Sequence, residues 1–227
     1  MDAYQKALFE FLKPMVNEDR TDLIEEVLRS RTRYLSVVLE DIYLPQNASA
    51  VLRSCDCFGI QDVHIIENRN RYELNPEVER GAAQWLTLRK YNHDRNNTGE
   101  AIDEIKKAGY RIVATSPHME SCDLSDFDLK TGKAAIIFGT ERHGVSKIAL
   151  EKADEFIKIP MVGFTESLNL SVAAAIILHN LTKKLWNSDL NWQLKESENE
   201  EIRLEWYKNS INRIARIEQG FRKKWKS

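Results

Sequence analysis

Residues 134–159 read AAIIFGTERHGVSKIALEKADEFIKI. An apolar run, Ala134–Phe138, ends at Gly139, a polar turn follows, a helical segment comes at about 145–151, and Glu155–Ile159 is a second β-rich run before Pro160. Strand, helix and strand in one short stretch predict parallel strands joined by a crossover, because parallel neighbours cannot be linked by a tight hairpin. The first run is apolar throughout and does not alternate, as expected of a strand covered on both faces.

The same alternation extends outward. Further β-rich runs stand at Leu35–Glu40, Val63–Glu67, Trp85–Arg89 and Arg111–Thr115, with helical segments at about 47–57, 99–108 and 169–185. The chain therefore reads as α/β, a mostly parallel sheet flanked by helices. Two short helices, 4–16 and 21–31, precede it, the second with Thr21 as its N-cap and Leu23, Ile24, Val27 and Leu28 on one face. After Trp186 the composition turns polar, and KESENEE is expected to be a linker. A helix over 200–218 follows, stopped by Gly220, and then FRKKWKS. The expected organisation is an N-terminal helical extension at 1–33, the main domain at 34–187 and a C-terminal helical extension at 188–227.

Bulk properties exclude several classes. Among 227 residues, 42% are apolar, and no run approaches the roughly 18 that a membrane span requires. The start, MDAYQKALFEFLKP, lacks a basic head and a continuous apolar stretch, so it does not read as a signal peptide and the expected location is cytoplasmic. Three cysteines leave an odd thiol, and Cys55-x-Cys57 is too tight for a zinc framework, so reduced thiols and no metal are expected. A net charge of −2 does not advertise a nucleic-acid binder, and any RNA site must be local.

Three segments carry more than packing requires. In PQNASAVLRSCDCFG, residues 45–59, Asn47 is a natural N-cap, and Arg53 offers a fork of donors to a phosphate, or else a solvated or salt-bridged cation. In IIFGTERHGVS, residues 136–146, Gly139 lets a ligand approach the backbone and Glu141 stands at the sheet's carboxyl edge. Gly139, Gly144 and Ser146 imitate a phosphate loop. Val145 occupies the lysine position, so a nucleotide hydrolase is a poor reading, and no GxGxxG occurs. In IPMVGFTESLNLSVAAAI, residues 159–176, Ser167, Asn169 and Ser171 exceed what one cap needs, while Ala173, Ala174 and Ala175 imply close approach, most simply by another helix.

In this order the three segments resemble the signature motifs of the SpoU/TrmH branch of the SPOUT RNA methyltransferases, over about residues 35–186. Ala48, Thr140 and Leu170 depart from the residues common at their positions without removing a functional group. The resemblance implies a deep trefoil knot at about 134–186 and S-adenosyl-L-methionine as cofactor, bound by Thr115, Gly139, Ile159 and Leu168. It implies a catalytic set of Arg53, Asn47, Glu141, Ser167 and Asn169, and a homodimer paired through knot-region helices. The flanking helices look like those of the tRNA guanosine-18 2′-O-methyltransferase subgroup, so the expected substrate is the D-loop guanosine of tRNA. Ribosomal RNA, another tRNA position, and a non-catalytic RNA-binding protein on the same scaffold are the alternatives. Expected RNA contacts are Arg29, Arg31 and Arg33, Arg69 and Arg71, and Arg222, Lys223, Lys224 and Lys226, with Trp225 stacking on a base or packing on the body.

Overall fold

Among the described residues, seven parallel strands form one sheet in the order β3-β2-β1-β6-β4-β7-β5, where β1 is Leu35–Glu40, β2 Asp62–Ile66, β3 Thr87–Tyr91, β4 Arg111–Thr115, β5 Cys122–Asp123, β6 Ala134–Phe138 and β7 Glu155–Lys158. The computed structural model describes residues 1–70, 81–116 and 121–225. In chain order the helices are α1 (Ala3–Leu12), α2 (Glu18–Leu28), α3 (Pro45–Cys57), α4 (Thr98–Lys107), α5 (Lys147–Lys152), α6 (Leu170–Trp186), α7 (Glu196–Ser210) and α8 (Ile214–Trp225). They fall into two compact units, one of residues 32–192 and one of residues 1–31 with 193–227.

In the sheet unit, β1, β2 and β6 are buried along their whole length. Their side chains alternate between two cores, as the period of two in a strand requires. Leu35, Val37, Leu39, Val63, Ile65 and Ile136 join the residues of α3 and α6 on one face. Val38, Ile66, Ala135 and Ile137 join Ala101, Ile102 and Ile105 of α4 and Ala149 of α5 on the other. The two edge strands of the sheet differ from the sequence expectation. Trp85 belongs to a short 3₁₀ turn, Ala82–Trp85, so β3 begins at Thr87, where its N–H donates to Gln61 O. The short edge strand β5, which no apolar run announces, pairs with β7.

Buried polar groups in this sheet have partners. His64 of β2 is 3% exposed, and its Nδ1 lies 3.0 Å from the Tyr91 hydroxyl. Burial, helped by the nearby Arg89 cation, pushes the imidazole down to about 4, so at neutral pH it is uncharged and shares a hydrogen bond with the Tyr91 hydroxyl. The unfolded chain then binds the proton more readily than the folded one. Stability is full above the ordinary value of 6.5 and is lost as pH falls from there towards 4, by up to about 3 kcal/mol. Denaturant unfolding of the wild type between pH 4 and 7 is expected to show this slope and His64→Gln to flatten it; equal slopes would remove His64 as the cause.

In the terminal unit, α1 opens on a capping box made by Asp2 and Gln5, and Pro14 lies in a 3₁₀ turn, Lys13–Met15, that ends the first helical stretch. α2 is capped by Asn17, whose side chain accepts from Arg20 N at 2.9 Å. Thr21 is therefore interior to the helix, and Leu23, 46% exposed, is off its buried face. KESENEE is not a linker. Glu196 and Glu198 form the first turn of α7, where carboxylates oppose the positive end of the helix dipole, and Glu198 accepts from Lys195 N at 2.8 Å. The expected single helix over 200–218 is broken at Arg213, whose φ is 58°, and Gly220 lies inside α8 instead of ending it. With that break, Ile214, Ile217 and Phe221 pack with Leu8, Leu12 and Leu204. Arg203 makes a two-pronged pair with Glu25 at 2.5 and 3.0 Å.

Candidate active site at the carboxyl edge of the sheet

The carboxyl ends of β6, β4 and β7 open into a cleft of about 630 Å³, where an open α/β sheet binds its ligands. Thr115, Gly139, Glu141, Ile159, Ser167, Leu168 and Asn169 all line it. Residues from separate parts of the chain, Thr115 at the end of β4, Gly139 after β6 and Ile159 after β7, thus meet because their strands end side by side.

Glycine is obligatory at 139 for a reason nearer than a ligand. The turn after β6 folds straight back, with Thr140 and Gly144 exchanging two backbone hydrogen bonds of 2.9 Å and Gly144 at φ 65°. A Cβ on Gly139 would lie 2.1 Å from the carbonyl carbon and oxygen of Gly144 and 2.2 Å from Val145 N. Thr115 is likewise fixed, its hydroxyl donating to Ile137 O at 2.9 Å.

Asn47 is not the cap of α3. Pro45 is the first helical residue and Leu44 the cap, with no side-chain cap bond. The cap comes from elsewhere in the chain: the Glu141 carboxylate accepts the N–H groups of Tyr43 and Leu44, each at 3.3 Å. Asn47, one turn in and 8% exposed, is thereby free to donate from Nδ2 to Glu141 Oε1 at 2.8 Å, and its Oδ1 accepts from Asn169 Nδ2 at 3.4 Å. Asn169 in turn caps α6, taking Ser171 N at 2.9 Å and the Ser171 hydroxyl at 2.6 Å. One relay, Asn169 to Asn47 to Glu141, joins all three sequence segments.

Burial alone would raise the Glu141 carboxyl. The hydrogen bonds from Asn47 and from the backbone N–H groups of Glu141, Leu44 and Tyr43 outweigh it together and hold the group below the usual carboxylate range. Its contribution is therefore present above that range and lost only as pH falls through the depressed value. At neutral pH Glu141 is an anion committed to other partners, which suits an orienting group better than a proton acceptor.

Arg53 stands apart. It is exposed on α3, does not line the cleft, and makes no hydrogen bond or ion pair among the described residues. Six residues past Asn47 is 240° round a helix, so the two side chains leave α3 in different directions.

Glu40, the acid that ends the fully buried β1, belongs to none of the three motif segments. It is 1% exposed and accepts from Thr98 Oγ1 at 2.6 Å, Ser146 Oγ at 2.6 Å and Ser146 N at 2.8 Å. This buried carboxylate ties the starts of α4 and α5 to the sheet and so anchors the far end of the 139–146 turn. Ser146, the serine of the apparent phosphate loop, is the N-cap of α5.

The expected RNA contacts divide. Arg31 is 1% exposed, its guanidinium 5.0 Å from the centre of the Trp206 ring, so burial removes it from the set. Arg33 is paired with Asp62 at 3.1 Å. Arg29, Arg69, Arg222, Lys223 and Lys224 are exposed, while Arg71 and Lys226 lie outside the described residues. Trp225 packs against Tyr4 and Phe221 and remains 49% exposed. The three alanines of α6 do not share a face, since successive helical residues diverge by 100°. Ala174 is in the core, and the outward stripe carries Val172 and Ile176, both exposed.

The family model described as the SpoU rRNA Methylase family matches residues 34–179. A Borreliella burgdorferi protein named tRNA (guanosine(18)-2'-O)-methyltransferase is 42% identical over 207 residues, 91% of this chain and 93% of that one. A Thermus thermophilus protein of the same name is 40% identical over 161 residues, 71% of this chain and 80% of that one. Among solved structures, the A. aeolicus TrmH/SpoU tRNA modifying enzyme superposes with a TM-score of 0.74 at 29% identity, covering 86% of this chain and 98% of that one. AviRb from Streptomyces viridochromogenes, a SpoU methyltransferase solved in complex with AdoMet, gives 0.60 at 25% identity, covering 72% and 62%. A cleft at the right edge of the right sheet, a relay joining the three motif segments, and a match across most of the chain lead to one conclusion: this protein belongs to the SpoU rRNA methylase family.

Proposed function

We infer that this chain methylates the ribose 2′-hydroxyl of the D-loop guanosine in tRNA, with S-adenosyl-L-methionine as the methyl donor. The observation that carries the reading is the relay from Asn169 through Asn47 to Glu141 at the wall of the cleft. It is supported by the name shared by the B. burgdorferi and T. thermophilus relatives and by the AdoMet complex of AviRb. The cleft suits such a donor: its volume is in the range of small-molecule sites, with apolar Phe138, Ile157 and Leu170 set among a few polar groups. When bound, the donor supplies a methyl group on a sulfonium, ready for in-line displacement.

The residues then take distinct tasks. Thr115 and Gly139 shape the strand-end floor, and the backbone at Ile159 and Leu168 cups the adenosine. Ser167 and Asn169 face the ribose. Asn47 and Glu141 keep Asn169 oriented. Arg53, outside the cleft of its own chain, meets the RNA and clamps the phosphate beside the reacting hydroxyl. A guanidinium has no lone pair for a proton, so Arg53 positions and stabilises and does not act as a base. As the oxygen–methyl bond forms and the sulfur–methyl bond breaks, the hydroxyl proton leaves late, to the RNA phosphate held by Arg53. Positioning supplies much of the rate.

The remaining features fit the same reading. Residues 134–186 form the trefoil knot, with 159–169 as its threaded loop. Two copies pair through α6 and the loop before it, covering the exposed Met161, Val162, Phe164, Val172 and Ile176. The terminal segments, 1–33 and 188–227, are extensions that grip the body of the tRNA, and the protein works in the cytoplasm.

Incubation with S-adenosylmethionine labelled in its methyl group and with unmodified tRNA or ribosomal RNA, followed by nucleotide mapping, tests the reading. Label is expected in tRNA as 2′-O-methylguanosine of the D-loop. Label confined to ribosomal RNA would keep the chemistry and overturn the substrate, and no label in either would sink the reaction.

A further inference from the structure

Two cavities meet at the loop that follows β7. Beside the cleft lies a second cavity of about 480 Å³, lined by Asp123, Pro160 and Thr165 among others, and Lys158 and Glu166 line both. The cleft has two carboxylates on its wall. Glu141 is committed to Asn47, Tyr43 and Leu44. Glu166 has no hydrogen bond or ion pair among the described residues. The Lys158 ammonium makes only a long contact, 3.7 Å to Asp123, with both side chains more than a third exposed. A pair of that kind contributes little and yields readily to a better partner.

An uncommitted anion and a weakly held cation, not paired with each other, therefore share the junction. The α-amino-acid end of the methyl donor is a zwitterion and needs one of each, while the rest of the molecule is a nucleoside that backbone and apolar walls can hold. We propose that Glu166 receives the α-ammonium and Lys158 the α-carboxylate, so that the amino-acid end of the donor lies where the two cavities meet. This inference rests on the methyl-donor reading above.

Titration calorimetry with two neutral-sulfur probes separates the inference from that reading. S-adenosylhomocysteine carries the amino-acid end and 5′-methylthioadenosine lacks it. Glu166→Gln and Lys158→Gln are each expected to weaken S-adenosylhomocysteine about tenfold, the loss of one charge-assisted hydrogen bond, and to leave methylthioadenosine as in the wild type. Equal weakening of both probes would mean damage to the loop and would overturn the proposal, as would no change in either while the wild type binds both. If the wild-type chain bound neither probe, the methyl-donor reading itself would fall, and the assignment with it.

Discussion

Arg53→Ala is expected to lower methyl transfer to tRNA by about 10²- to 10⁴-fold, with binding of S-adenosylhomocysteine unchanged. The split follows from where the side chain stands: on the exposed face of α3, off the cleft, and without a partner among the described residues. Removing it disturbs neither the fold nor the donor pocket, so the loss must appear in the reaction with RNA. Arg53→Lys is the sharper variant. A lysine keeps the charge but loses the planar fork that holds two oxygens at once, and on the clamp mechanism it recovers only a small part of the rate. Single-turnover transfer to unmodified tRNA, wild type beside both variants, is the measurement. Near-normal turnover in Arg53→Lys would rule out two-pronged holding, and near-normal turnover in Arg53→Ala would remove Arg53 from the chemistry.

Gly139→Ala should be the most damaging single methyl group added to the cleft. The new Cβ would lie 2.1 Å from the Gly144 carbonyl, and the obstacle is backbone, which cannot swing aside as a flexible side chain can. Relief requires opening the Thr140–Gly144 pair, and that moves Glu141 away from Asn47 and from the start of α3. Overpacking of this kind costs about 1–3 kcal/mol, or roughly 3–10 °C in the thermal midpoint of a chain this size. Affinity for S-adenosylhomocysteine should fall by on the order of tenfold or more. Thermal unfolding with and without ligand reads both effects. Wild-type affinity in the variant would mean that the turn tolerates the methyl group and that the glycine serves something else.

The two variants illustrate different kinds of legibility. Arg53 is a candidate in the sequence because its guanidinium offers a fork of donors within the first motif segment, but its place in the second half of α3 and its direction from that helix are not legible there. In the sequence Asn47 reads as a cap because Asn caps helices, yet Pro45 sets the start of α3 two residues earlier and releases Asn47 for the relay. Glu141 was readable as an acid at the carboxyl edge. Its actual role, capping a helix some 97 residues upstream, depends on the neighbouring positions of β1 and β6. Glu40 leaves only a faint trace in the sequence, an acid closing a mostly apolar strand.

By itself the sequence determined the alternation of strands and helices, the parallel sheet, and the polar turns and caps that mark the three segments later joined by the relay. These are local properties, set by periodicity, by turn residues and by apolar runs covered on both faces. Tertiary structure alone decided the strand order that brings Thr115, Gly139 and Ile159 to one cleft, the burial of Arg31 under Trp206, and the helix that acidic 196–201 enters. Those outcomes turn on which distant groups become neighbours. Hydrogen bonds and desolvation act over a few ångströms in space, whatever the separation along the chain.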